Sequence, residues 1–512
     1  MPLPVERFDE PIDVARLLAK GLQRRPDDVA LISAEGSRSW RELDRASEYY
    51  GANLLALGLK SGDRVASLMP NCDALVIHYL ACFKTGIVAT PLNFRYTPVE
   101  IDHALKKSGA SALLAHCSRD IDIAASRQAA ELPFGVISYG SEERRSHSFE
   151  ALVERPAHIA GLTFPAGTDP AIILFTSGST GPAKGVTHSF ETLGWMIANF
   201  VHGCHATPDD TVMVSGSLSH LGALLDCVMG LSAGARVVIP HNFDADGLLP
   251  MLRQHRPTIF VALPVTLFGL IRDPRTMQAD LVSLRLCGAG GDKVPAELER
   301  EYKSMTGQSI NEQYGMTETG VATMSPPDGH VKVGSIGRAI TGYRLSVRGS
   351  NGSDLADGAE GRLWIKSRAN MIGYWESPEV TAATIKDGWL DTGDVVKIDA
   401  EGYVWFCGRQ KQMIIHDGSN ISPQEVEDAL LEHPAVAMAG VVGVHDLVHG
   451  ENVRAFITLK PGVDVISLAE LIGFARTRVG YKAPEEITVL DRMPLTLSEK
   501  VDRAALKNLI QL

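Results

Sequence analysis

What this 512-residue sequence lacks already excludes several classes of protein. It has no run of about 18 apolar residues, so no segment can cross a bilayer as a helix. Its first residues, Met1-Pro2-Leu3-Pro4-Val5-Glu6, lack a basic stretch followed by an apolar one, so no secretory leader is expected and a cytoplasmic location is. It has no surplus of positive charge, and a net charge of −12 argues against a nucleic-acid or anionic-membrane partner. It has no CxxC pair. The seven cysteines (72, 82, 117, 204, 227, 287 and 407) are scattered and odd in number, a pattern expected of buried thiols in a reducing compartment. His202, Cys204 and His205, with His220 and Cys227 further on, lack a second tight ligand pair, so no structural zinc is expected there. Repeats and low-complexity tracts are also absent.

What is present describes a globular chain of more than one domain. Hydrophobic residues make up 45% and charged residues 21%, and the length exceeds what one core usually holds. Over residues 11–130 helical and strand-like segments alternate: a helix around Asp13–Gln23, a strand at Val29–Ile32, a capping box at Ser39–Glu42, strands at Arg64–Leu68 and Ala112–Ala115. That alternation predicts parallel sheets covered by helices. The same rhythm continues to about Cys287, with strands expected at Val212–Val214, Val237–Ile239, Thr258–Ala262 and Leu284–Cys287. From Gly334 to about 408 shorter, glycine-punctuated segments suggest a β-rich subdomain. A boundary is expected near residue 410, giving a large domain over 1–410 and a small α+β domain over 411–512. In the latter, Ser422-Pro423-Gln424-Glu425 reads as a helix start with N-cap, first-turn proline and capping-box glutamate.

One stretch organises the chain: Thr176-Ser177-Gly178-Ser179-Thr180-Gly181-Pro182-Ala183-Lys184-Gly185. A strand, Ala171–Phe175, runs into it, and a helix-period segment from Phe190 to Val201 follows. Its glycines let backbone approach a ligand closely, and its hydroxyls and lysine supply donors without a carboxylate to repel an anion. A polyphosphate suits such a loop. Ala183 stands where a Walker-type P-loop needs glycine before lysine, so that motif is excluded.

At this loop and at five further places the sequence resembles the adenylate-forming superfamily of acyl-CoA synthetases, luciferases and nonribosomal adenylation domains. The likeness runs from about residue 25 to Lys507, with the motifs in the family's order. It implies an enzyme that joins a small carboxylic acid to CoA at the expense of ATP, with Mg²⁺, through an acyl-adenylate. Thr176, Ser177, Gly178, Ser179, Thr180 and Gly181 match the family's phosphate loop, with Lys184 as its lysine and Thr176 beside the metal. Gln313–Glu318 looks like the adenine motif: Tyr314 and Gly315 on the purine, Thr317 on the α-phosphate, Glu318 on Mg²⁺. Cys287–Gly291, including Gly288, Ala289 and Gly290, resembles the turn shared by adenine and the acyl pocket. Asp394 and Arg409 match the ribose motifs, Lys411 the hinge of a mobile C-terminal domain, and Lys500 the lysine of adenylation.

Two positions depart from the family pattern. Glu499 stands where glycine usually precedes the lysine, which puts regulation by acetylation in doubt. Asp417 stands in place of one of two glycines of the thiol tunnel, beside Gly418, which weakens the case for CoA as acceptor. The acyl pocket is expected from Ser219, His220, Leu221 and Gly222, from Phe260–Phe268 and from the small residues 288–291 (Gly315 also bordering it), with room for an alkyl chain or an aromatic ring. His220 could equally be a satisfied core histidine. An acyl-AMP ligase serving a carrier protein or an amine, and an inactive nucleotide-binding scaffold, are the alternatives. A monomer or homodimer is expected.

Overall fold

The computed structural model describes residues 9–141, 147–159, 165–176, 183–292, 294–327, 329–416, 419–446, 450–463, 467–496 and 500–510. Four sheets organise them. In the nine-stranded sheet, Ile259–Ala262 lies parallel to Leu286–Gly290, which lies parallel to Asn311–Met316. The last of these turns back antiparallel into Gly320–Met324. In the eight-stranded sheet, Pro170–Thr176 continues parallel strands at Val88–Pro91, Arg64–Leu68 and Ala112–His116. Parallel sheets need both faces covered, and the sequence supplies helices apolar all round to do it. Asp73–Thr85, Phe190–Gly203 and Leu221–Ala233 are buried over nearly their whole circumference. Their side chains share one core with Ile172 and Leu174 of one sheet and Val212 and Val237 of the other, which places these helices between the sheets.

The expected elements mostly appear, with shifts at their ends. The capping box at Ser39 and Glu42 forms, each closing the other's backbone N–H. The first helix breaks into a short turn, Val14–Arg16, and a helix, Ala19–Arg24. The strand expected at 284–287 lies at Leu286–Gly290, and His147–Ser148 pairs as a short strand. The third sheet contains Tyr343–Arg348, Gly361–Ser367, Ile385–Lys386, Trp389–Ile398 and Val404–Arg409. It is not the whole of 334–408, because Arg338–Ala339 extends the nine-stranded sheet and Gly373–Tyr374 the eight-stranded one.

Beyond it, a fourth sheet of Ile414–His416, Ser419–Ile421, Val436–Asp446, Gly450–Leu459 and Glu486–Val489 has its own core around Val426, Val441, Ile457 and Leu471. The helix Pro423–Leu431 starts at Ser422 as expected, but without a capping bond. Glu425 is drawn away to Lys482 (2.8 Å), where a full charge outcompetes a backbone N–H. No disulfide joins the cysteines, and no group of three or more His, Cys, Asp or Glu among the described residues could hold a metal ion.

Candidate active site

The site is assembled where strand ends of the two large sheets meet the third sheet. The strand Asn311–Met316 carries Tyr314, and the register of Trp389–Ile398 against Val404–Arg409 sets Asp394 opposite Arg409. The Tyr314 hydroxyl donates to Asp394 Oδ2 at 2.6 Å, and Arg409 Nε lies 3.0 Å from Oδ1. Asp394 is buried and Arg409 half exposed, so the guanidinium reaches from solvent to a carboxylate at the floor. Burial pushes the Asp394 pKa up, opposed by the Arg409 charge and the Tyr314 bond. Three residues separated by up to 95 positions thus form one cluster, as their motifs implied.

Glu318 is the middle residue of the turn between Asn311–Met316 and Gly320–Met324 and is 8% exposed. Burial raises its pKa, while the Tyr374 hydroxyl, donating to Oε1 at 2.9 Å, favours the carboxylate. Thr317 beside it is held through its main chain, its carbonyl accepting from His188 Nε2 at 2.7 Å. Desolvation lowers the His188 pKa to about 4, so it is a neutral donor near pH 7. A single buried carboxylate is a donor that Mg²⁺ uses when phosphate oxygens and water complete its octahedron, so Glu318 fits that ion.

Strand Pro170–Thr176 turns back as Lys184–Ser189, with Thr176 paired to Lys184 in register. Both ends of the loop are therefore fixed in one sheet. Ser177, Gly178, Ser179, Thr180 and Gly181 lie outside the described residues, as do Asp417, Gly418 and Glu499. The return strand is not evident in the sequence, because its alternation of Val186 and His188 with Thr187 and Ser189 spans only six residues.

The glycine strand explains itself by contact. A Cβ on Gly288 would meet Gln313 Nε2 at 2.8 Å and one on Gly290 would meet the Gln313 carbonyl at 2.8 Å, so the neighbouring strand leaves no room for side chains. Gly315 sits at a bulge where a Cβ would meet the Gly320 carbonyl at 2.3 Å. At the opposite wall His220 precedes helix Leu221–Ala233, and Asn93 Nδ2 lies 3.2 Å from its Nε2. Asn93 Oδ1 accepts the Arg95 N–H, which leaves Nδ2 as donor and His220 Nε2 as acceptor. Leu221 is buried, whereas a side chain on Gly222 would meet nothing within 4 Å. Phe260 does not line this space, being fully buried in a second core, and Phe268 lies under the Arg272 guanidinium at 4.1 Å.

Lys500 completes the arrangement from the C-terminal segment. Burial lowers its pKa, with the charges of Asp292 and Asp394 opposing and those of Arg409 and Arg503 adding to the effect. The ammonium thus lies in the field of the same Asp394–Arg409 pair that faces Tyr314. Lys411, the expected hinge, falls in the short turn Gln410–Gln412 between the third and fourth sheets. No helix among the described residues is long and apolar enough to cross a membrane.

Known proteins place this geometry. Residues 18–375 match the model of the AMP-binding enzyme family, and residues 425–500 that of the AMP-binding enzyme C-terminal domain. A feruloyl-CoA synthase of Amycolatopsis sp. is 34% identical over 93% of this chain and 94% of its own. An indoleacetate–CoA ligase of Aromatoleum aromaticum is 33% identical over 95% and 96%. The crystal structure of ATP-bound MatB from Rhodopseudomonas palustris superposes with a TM-score of 0.90 at 29% identity, covering 97% of this chain and 99% of that one. By sequence, fold and the clustering of its distant motifs, the chain belongs to the AMP-binding enzymes, the adenylate-forming acyl-CoA synthetases.

Proposed function

We propose that the protein activates an aromatic carboxylic acid with ATP and Mg²⁺ to an acyl-adenylate and pyrophosphate, then passes the acyl group to the CoA thiol. The observation that carries this reading is the Tyr314–Asp394–Arg409 cluster, which gathers motif residues from distant parts of the chain and whose charges act on Lys500. On this reading the Asp394 carboxylate accepts the ribose hydroxyls, Tyr314 stacks on adenine, and the loop from Thr176 to Lys184 cradles the polyphosphate. Thr317 contacts the α-phosphate, and Glu318 and Thr176 hold Mg²⁺, which supplies charge neutralisation when bound. Carboxylate attack on the α-phosphorus builds negative charge on its oxygens, and the Lys500 ammonium is the side chain placed to stabilise it. AMP then becomes the leaving group in place of oxide. Lys411 serves as the hinge about which residues 411–512 turn between the two half-reactions, bringing the Gly418 segment to the thiol.

The aromatic acid is favoured by the open space at Gly222 beside the polar pair Asn93–His220. The relatives named for ferulate and indoleacetate point the same way. A fatty acid is the second reading, favoured by a long-chain-fatty-acid–CoA ligase of Bacillus subtilis that is 30% identical over 99% of this chain. Pyrophosphate release across aryl and alkyl acids, with and without CoA, tests both. CoA-stimulated turnover with an aryl acid is expected. Turnover confined to alkyl acids would select the second reading, and pyrophosphate release indifferent to CoA would replace the thiol by another acceptor.

A further inference from the structure

Lys184 and Glu318 present a physical problem. A lysine whose charge reaches a buried glutamate can close on it as a salt bridge, and a closed pair would spend both charges on each other. Here no ion pair joins them. Tyr374 stands between: its hydroxyl donates to Glu318 Oε1 at 2.9 Å, and the Lys184 Nζ lies 5.1 Å from the centre of its ring. The negative face of the ring attracts the ammonium, while the phenolic hydrogen occupies one carboxylate oxygen. We infer that Tyr374 is a positioning residue for the phosphate end of the site, holding Glu318 through its hydroxyl and Lys184 through its ring so that neither neutralises the other.

The backbone around Tyr374 is fixed for this task. Gly373–Tyr374 pairs antiparallel with the strand that carries Lys184, setting Tyr374 opposite Val186, and the Trp375 N–H donates to the Gly185 carbonyl at 2.7 Å. The Tyr374 N–H donates to Thr381 Oγ1 at 2.9 Å. Three residues earlier the Met371 N–H donates to the Glu318 carbonyl at 2.8 Å, so the same segment grips Glu318 by main chain and side chain. His188, on the strand of Lys184, holds the Thr317 carbonyl. The edge of the eight-stranded sheet therefore clamps the Thr317–Glu318 turn of the nine-stranded sheet, and Tyr374 is the part of the clamp that touches both charged groups.

This inference rests on the proposed reading of Glu318 as the Mg²⁺ carboxylate and Lys184 as the polyphosphate lysine. Its test is binding of a non-hydrolysable ATP analogue by calorimetry, with and without Mg²⁺, for the full chain and for Y374F and Y374L, with thermal unfolding as the check on folding. Y374F keeps the ring and loses the hydroxyl. It should weaken the Mg²⁺-dependent part of binding by about 10- to 100-fold and leave metal-free binding within about two-fold. Y374L should weaken both parts, metal-free binding by about 3- to 10-fold through loss of the lysine's platform. A folded Y374F with wild-type Mg²⁺ dependence overturns the inference, and decides the matter even if Y374L does not fold. Equal metal-free affinities for Y374F and a folded Y374L overturn the role of the ring. A wild-type protein that binds the analogue but ignores Mg²⁺ overturns the reading of Glu318 and this inference with it.

Discussion

The two ends of the site are built differently. At the end proposed to hold the nucleotide, Asp394 and Arg409 stand opposite each other on paired strands, and Tyr314 reaches Asp394 from the nine-stranded sheet. At the lysine end, short-range bonds link the described residues around Lys500. Thr496 N–H donates to the Lys500 carbonyl at 2.7 Å, and Leu495 bridges Val501. Its anchor lies just beyond, where Arg503 makes two 2.7 Å contacts to the buried Glu427. One end rests on strands of the third and nine-stranded sheets, and the other is anchored to helix Pro423–Leu431 beside the fourth sheet. A ligand that must stay bound through two chemical steps suits the first, and a charge needed for only one of them suits the second.

Removing that charge should break the comparison most severely. Lys500→Ala is expected to lower pyrophosphate release by on the order of 10²–10³-fold, while transfer from synthetic acyl-adenylate to CoA stays close to wild type. Parallel assays of the two half-reactions check it, and equal loss in both would mean that the lysine end is not separable. Asp394→Asn should act at the other end, raising the KM for ATP by about 10- to 100-fold through loss of a charge-assisted bond pair, with both half-reactions affected.

The pH profile distinguishes the two ends by limb. The Asp394 pKa is raised by burial and its carboxylate is the working form, so activity falls with decreasing pH from above the usual aspartate range. The Lys500 pKa is lowered by burial and its ammonium is the working form, so activity falls with increasing pH from below the usual lysine range. Lys500→Arg should move only the alkaline limb of the adenylation rate outward. The smallest effect is expected at the ion pair between Lys460, after the strand Gly450–Leu459, and Glu297 of helix Ala296–Thr306, 3.0 Å apart. Glu297→Gln weakens this partly exposed contact and the one that Glu297 makes to Arg272 at 3.0 Å, each of at most about 1 kcal/mol, and should change the ratio of the half-reaction rates by no more than about five-fold.

Most strands of the two large sheets are legible in the sequence by periodicity, because buried parallel strands read as continuous apolar runs, as at Ala171–Phe175. The motif residues Tyr314, Asp394, Arg409 and Lys500 are legible by their order along the chain, and the fold brings the first three into contact. Tyr374, His188 and Asn93 are not. Each sits on or beside a short strand and acts by a contact with a residue at least 56 positions away, which no local pattern encodes. The capping box at Ser422 fails for a related reason, since its glutamate has a lysine 57 residues away that no sequence window contains.

The bond from Tyr314 to Asp394 has a consequence for how a nucleotide enters. The carboxylate that would receive a ribose is engaged by a phenol at 2.6 Å and a guanidinium at 3.0 Å. The protein's own side chains thereby keep the site in working shape, and binding becomes an exchange of partners rather than the filling of a void. A ribose must offer as much as it displaces. A nucleotide short of one hydroxyl offers less, so the preference for ribonucleotides would be set by a competitor that the protein itself supplies.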